Sequence, residues 1–181
     1  MRKVLCAQYS AQFMAVRMIG NEIDPATYPR DMTGYGRDTP NPQWPGNARI
    51  AVQFVVNYEE GGENSILHGD SHAESYLTEV VGTPPLADER NLTVESVYEY
   101  GSRAGFWRLL RLFDERDLPF TTYAVAMALA RNADAAQALV DSGHEVASHG
   151  WRWIDYHGVP EEIEREHIRL AVETITDRTE A

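Results

Sequence analysis

Several things are scarce in this sequence, and each scarcity removes a class of protein. Its 181 residues include one cysteine, Cys6, which excludes an internal disulfide and any thiolate-bound metal cluster and fits a reducing compartment. Positive charge is short as well: 16 Lys and Arg stand against 28 Asp and Glu, a formal net charge of -12. The basic residues are scattered singly and form no stripe able to neutralise successive phosphates, so a nucleic-acid partner is not expected. No apolar run approaches the roughly 20 residues of a membrane span, and no membrane partner is expected either. Residues 1–20 carry Arg2, Lys3 and Arg17 without an acid, yet Gln8, Ser10 and Gln12 interrupt the apolar residues there and leave no signal-peptide core. Residues 1–27 therefore read as an extension without a fold of its own, and a cytoplasmic location is expected. Internal repeats and low-complexity tracts are absent. What is present is a 43% hydrophobic content, enough for one substantial core.

The apolar pattern alternates between strand and helix. After an irregular lead-in over 28–47, punctuated by Pro29, Pro40, Pro42 and Pro45, the nearly continuous apolar run within 49–57 predicts a strand covered on both faces. A polar, glycine-containing excursion over 59–70 follows, then a short helix over 71–81 stopped by Gly82 and Pro84-Pro85. Phe106, Trp107, Leu109, Leu110 and Phe113 recur at helical spacing and predict a helix over 103–116. The stretch 120–126 reads as a second strand after Pro119, and Asn132 as the N-cap of a helix that Gly143 ends. A third strand is expected over 144–148. Pro160, Glu161 and Glu162 open a last helix with Ile168, Ala171, Val172 and Ile175 as its buried face. Strands alternating with helices imply parallel pairing through right-handed crossovers. The fold class expected is α/β, a partial (β/α) barrel with parallel strands that is incomplete at its C-terminus, because a whole barrel takes about 250 residues.

In such folds the reacting groups gather at the carboxyl ends of the strands. Two segments qualify here. One is Asn57-Tyr58-Glu59-Glu60-Gly61 after the first strand; the other is Ser148-His149-Gly150-Trp151-Arg152-Trp153 after the third. Alternation along a strand sends one of two adjacent carboxylates into the mouth and the other away from it, so Glu59 and Glu60 can divide labour. As a metal site the set is thin. His149 and Glu60 supply two ligands where a catalytic zinc takes three, Trp153 cannot ligate, and the odd spacing from His149 to His144 turns that ring to the opposite face. His68, His72 and His157 lie in separate loops. Trp151 and Trp153 either wall off a dry pocket or cover the core. Arg152, Arg103 and Arg37 offer the fork geometry that grips a carboxylate or ureido carbonyl, with Arg37 expected simply to face solvent.

These segments, with Tyr100-Gly101-Ser102-Arg103-Ala104-Gly105-Phe106-Trp107 between them, resemble the NodB-homology family of polysaccharide deacetylases. That family carries Thr-Phe-Asp-Asp after its first strand, the first Asp a base and the second a metal ligand, and a later His-(Ser/Thr)-x-x-His. Here Glu59 and Glu60 fall on the two Asp positions, His149 on the first His and Trp153 on the second. The departures, together with Tyr28-Pro29-Arg30-Asp31 and Gly34-Tyr35-Gly36-Arg37, look like the metal-independent allantoinase branch of urate catabolism. Cyclic-imide hydrolases share much of the pattern but keep the second His. The resemblance runs from Tyr28 to the C-terminus and implies that 28–181 is the N-terminal part of a catalytic domain, the family's later motifs lying beyond it.

It further implies a hydrolase that opens a cyclic amide, allantoin to allantoate. Glu59 is the base, or Glu60 if the register differs, and His149 and Arg152 are oxyanion donors. Tyr58, Arg103, Trp151, Arg152 and Trp153 are implied as the substrate-binding residues. No cofactor is expected. The partner implied is a small cyclic ureide or imide, with a homo-oligomer for the full-length protein. The alternatives are a carbohydrate de-N-acetylase that uses zinc and a non-catalytic truncated subunit.

Overall fold

The computed structural model describes residue 30, residue 32 and residues 34–179. The 1–27 extension and the Tyr28, Pro29 and Asp31 positions lie outside these residues. The chain divides into two units, Met1–Ala51 and Val52–Ala181. In the first, the described residues are exposed and irregular, with one 3-10 turn at Pro45–Asn47. This accords with the prolines spaced through it, which lack the donors that a ladder or helix needs.

The second unit is built on a parallel sheet ordered β1 (Val55–Tyr58), β2 (Thr121–Ala124) and β3 (Glu145–Ser148), with Tyr58 beside Ala124 and Ala124 beside Ser148. This is the mixed α/β architecture with parallel pairing that the alternating pattern predicts, and among the described residues the sheet is not closed. The strand expected over 49–57 begins only at Val55. Its sole described partner is β2, which cannot extend the ladder back past Pro119, so Ile50 and Val52 stay exposed despite their apolar character.

One face of the sheet is apolar and covered. Val56, Tyr58 and Ala124 pack against Phe106 and Leu110 of α2 (Phe106–Asp114), Ala128 and Leu129 of α3 (Ala126–Arg131), and Ala135, Ala136 and Leu139 of α4 (Ala133–Asp141). The alanines let these helices sit close to the strands. The other face is polar. There Thr121 Oγ1 donates to Glu145 Oε2 at 2.6 Å, and Asn57 and Tyr123 are neighbours in register.

Four further elements depart from the sequence expectation. Residues 71–81 form no helix. Ala73 donates to the carbonyl of Leu86, Asp88 donates to that of Ser71, and Glu74 Oε1 takes the amides of Ser75 and Tyr76 at 2.8 Å each, so the backbone is satisfied without one. The helix expected over 103–116 starts earlier, as α1 (Leu92–Tyr100) capped by Asn91, and passes through a π-type turn at Gly101–Gly105 into α2. The six-residue α3 has no counterpart in the sequence reading, being too short for periodicity to show. Finally, α5 (Glu161–Thr179) buries Ala171 and half-buries His167, Leu170 and Ile175, while Ile168 and Val172 are 57% and 58% exposed. Its covered stripe is turned from the expected one because α3, α4 and β3 meet it along one side only. The α4 reading holds: Asn132 Oδ1 accepts from Ala135 N at 3.1 Å, and Gly143 takes the left-handed conformation at φ 71.

Candidate active site

Period two along β1 puts Asn57 and Glu59 on the polar face, and period two along β3 puts Ala147 and His149 there. Strands β1 and β3 are not neighbours, and two strand spacings separate them by roughly 10 Å. The Glu59 and His149 side chains close that gap above the end of β2. His149 Nε2 lies 2.9 Å from Glu59 Oε1, with side-chain exposures of 39% and 24%. Asn57 Nδ2 donates to the same Oε1 at 3.1 Å, and the Tyr123 ring stands 6.0 Å from that of His149 between centroids. Backbone bonds hold the imidazole in place. His149 N donates to Ala124 O at 2.8 Å, and the carbonyls of Gly150 and Trp151 accept from Ala126 N and Met127 N, two of the unpaired donors at the start of α3.

Glu60 goes the other way. Its carboxylate accepts from Glu59 N at 3.2 Å and lies against Gly101, where any Cβ would collide with Oε1. This accounts for a glycine in the π-type turn. Glu60 lines a cavity of about 310 Å³ on the helix side, with Tyr58, Glu63, Tyr98, Arg131 and Asn132 among its walls. Burial pushes the Glu60 carboxyl above the usual carboxylate range.

The remaining residues implied for the substrate are dispersed. Tyr58 is buried on the helix side, its hydroxyl accepting from Asn132 Nδ2 at 2.8 Å, and burial pushes it up to about 12. It does not reach the Glu59 and His149 rim, because residues 58 and 59 point to opposite faces. Arg103 is exposed and pairs with Glu99 at 3.1 Å. Arg37 is exposed as well.

Arg152 is committed elsewhere. It donates to both oxygens of Asp70 at 2.9 and 2.5 Å and to Glu63 O at 2.9 Å. The fork expected to meet an oxyanion here grips a carboxylate of its own chain. Its hydrogen bonds hold the Asp70 carboxyl below the usual range. The Trp153 ring packs at a tilt on that of Tyr76, 5.4 Å between centroids, and its backbone N–H donates to Gly62 O at 2.9 Å. Trp151 is half-buried.

The sequence reading passed over Asn57, Asp70, Tyr123 and Arg131. The last donates to Gly61 O and sits 2.6 Å from His68 Nε2. Only Asn57 had a local signal, two residues before Glu59 on the same face.

A divalent cation held as in the deacetylase pattern does not fit these residues. Trp153 has no donor atom for it, Glu60 points into the helix-side cavity, and His149 presents Nε2 to Glu59. Among the described residues no three of His, Cys, Asp and Glu cluster closely enough to ligate one ion.

Residues 88–181 match the family model described as polysaccharide deacetylase. A Schizosaccharomyces pombe protein provisionally named a polysaccharide deacetylase is 48% identical over 148 residues, which is 81% of this chain and 46% of that one. The crystal structure titled Puue Allantoinase superposes with a TM-score of 0.80 at 54% identity, covering 87% of this chain and 51% of the other. A structure from Pseudomonas aeruginosa PAO1, provisionally titled a polysaccharide deacetylase, gives the same TM-score of 0.80 and the same 54% identity, over 84% of this chain and 51% of its own. The chain thus spans about half the length of the relatives that it matches.

Proposed function

The chain belongs to the polysaccharide deacetylase family, and from that premise we propose that it supplies the base and the imidazole of a hydrolase that opens a cyclic amide, allantoin to allantoate. The observation that carries this reading is Glu59 Oε1 at 2.9 Å from His149 Nε2 on the polar face. Likeness to an allantoinase structure at 54% identity supports the substrate class. So does Trp153 at the position where the resemblance calls for a second ligand.

The chemistry follows from the geometry. Glu59 takes a proton from a water molecule, the water oxygen bonds to the ring carbonyl carbon, and the tetrahedral oxyanion forms. His149 is the nearest side-chain donor to that carboxylate and stabilises the developing charge. Collapse breaks the carbon–nitrogen bond of the ring, and the proton held on Glu59 passes to the departing nitrogen. Asn57 fixes the carboxylate by its 3.1 Å bond. Arg152 has no part in these steps.

Substituting Glu59→Gln in the full chain is expected to lower allantoin turnover by about 10²- to 10⁴-fold, the range for loss of a general base. Turnover within threefold of the parent in that variant removes the assignment. A metal-dependent carbohydrate de-N-acetylase is the second reading, favoured by the names of two of the relatives. Stoichiometric zinc in the purified protein, together with chelator-sensitive release of acetate from an acetylated oligosaccharide, supports that reading over the first.

A further inference from the structure

The contact between Glu59 and His149 joins the ends of two strands that do not touch, so something must hold their loops in register. Arg152 lies three residues beyond His149, and Asp70 closes the loop that begins at Glu59. Asp70 is built into that loop. Its Oδ2 accepts from Ser65 N at 2.8 Å, and its own N–H donates to Ser65 O at 3.3 Å. Arg152 reaches across to both oxygens of Asp70 and to the carbonyl of Glu63, four residues beyond Glu59. Both side chains are largely buried, at 12% and 19% exposure, and Arg152 Nε is buried without an acceptor. An arginine kept in place with one donor unsatisfied is held for its position, since burying that donor is unfavourable. His68, at the same junction, is approached by Arg152 on Nδ1 and by Arg131 on Nε2.

We propose that Arg152 is a positioning residue: through Asp70 and the Glu63 carbonyl it clamps the loop after β1 to the loop after β3 and so sets the separation of Glu59 and His149. The proposal rests on the function given above, and it removes Arg152 from the groups that touch substrate. A planar fork does this and an ammonium does not, because Lys presents a point charge that cannot span two carboxylate oxygens and a carbonyl at once. The backbone bond from Trp153 N to Gly62 O does not involve the guanidinium and still ties the two loops when it is changed.

The test compares Arg152→Lys and Asp70→Asn with the parent in the full chain, reading the ring nitrogens of His149 and His144 by NMR through their carbon-bound protons. His144 is the internal control. It lies at the other end of β3, bonded to Asp114 Oδ1 and Phe120 N, and stacked on the Phe120 ring. Expected is a shift of the His149 nitrogens toward those of Glu59→Gln, where the contact with the carboxylate is lost, with His144 unmoved. Allantoin hydrolysis should lose on the order of 10²-fold in kcat with KM within about twofold, as for a displacement of about 1 Å in a reacting group. His149 signals unchanged in both variants overturn the proposal, and so does loss of the His144 and His149 signals together in both, which marks a plain fold element. The resonances read the clamp whether or not allantoin is turned over. A parent inert toward allantoin therefore strikes the function and leaves the clamp to be judged by NMR.

Discussion

Single residues in this molecule are decided by which partner they meet rather than by their own chemistry. Glu59 and Glu60 are the same residue type at adjacent positions, yet one meets an imidazole on an open face and the other is pressed against Gly101 beside a cavity. Thr122 shows the cost of a poor partner. It is fully buried in the middle of β2, and its hydroxyl has no hydrogen-bond partner. Valine has the same shape without the polar group, so Thr122→Val is expected to stabilise the protein by about 1 kcal/mol. A thermal melt of the two proteins checks this, and an unchanged or lower midpoint contradicts it. The strand ends on which Glu59 and His149 stand were legible from the alternation of the chain, while period two left open which of Glu59 and Glu60 faces the imidazole. The commitments of Tyr58, Arg103 and Arg152 were not legible, because Asn132, Glu99 and Asp70 become their partners only once the chain is folded or helical.

At the scale of elements, the stretch from Leu92 to Asp114 is the clearest case of tertiary contact acting on local structure. Propensity allows one helix, but the glycines at Gly101 and Gly105 and the Glu60 carboxylate lying on the first of them accompany a widened turn in its middle. Gly101→Ala adds a methyl group where the carboxylate sits. Although alanine favours helix elsewhere, here it is expected to destabilise by about 1–3 kcal/mol, the range for overpacking a filled site. A denaturant titration of the full chain gives the sign. In the double variant with Glu60→Ala the cost should largely vanish, since the colliding group is gone. The missed α3 and the absent 71–81 helix have a common origin. Short elements are decided by who supplies their backbone partners, and in both cases the partners come from distant loops, Gly150 and Trp151 for α3 and 86–88 for the other.

For the molecule as a whole, two of the perturbed carboxylates, Asp70 and Glu60, pull the pH dependence of stability in opposite directions. Asp70 has a folded-state pKa depressed by Arg152, so its contribution is present above the unfolded value and is lost as pH falls through the folded one. Glu60 has a folded-state pKa raised by burial. The folded state then binds more protons than the unfolded state between the two values, and stability falls as pH rises through that window. Asp70→Asn is therefore expected to flatten the acid loss of stability, and Glu60→Gln to raise stability at pH 7. Denaturant midpoints measured from acid to neutral pH decide both; a Glu60→Gln midpoint below the parent at pH 7 would show the buried carboxylate to be stabilising.

By itself the sequence determined the alternation of strand and helix, the parallel pairing that alternation requires, and the loops on which Glu59 and His149 stand, because all of these follow from periodicity along the chain. Only the tertiary structure decided where β1 begins, which stripe of α5 is covered and which acid faces the imidazole. Those depend on what each segment meets from residues far away in the chain, and an arginine such as Arg152 carries no mark of the carboxylate that it will hold.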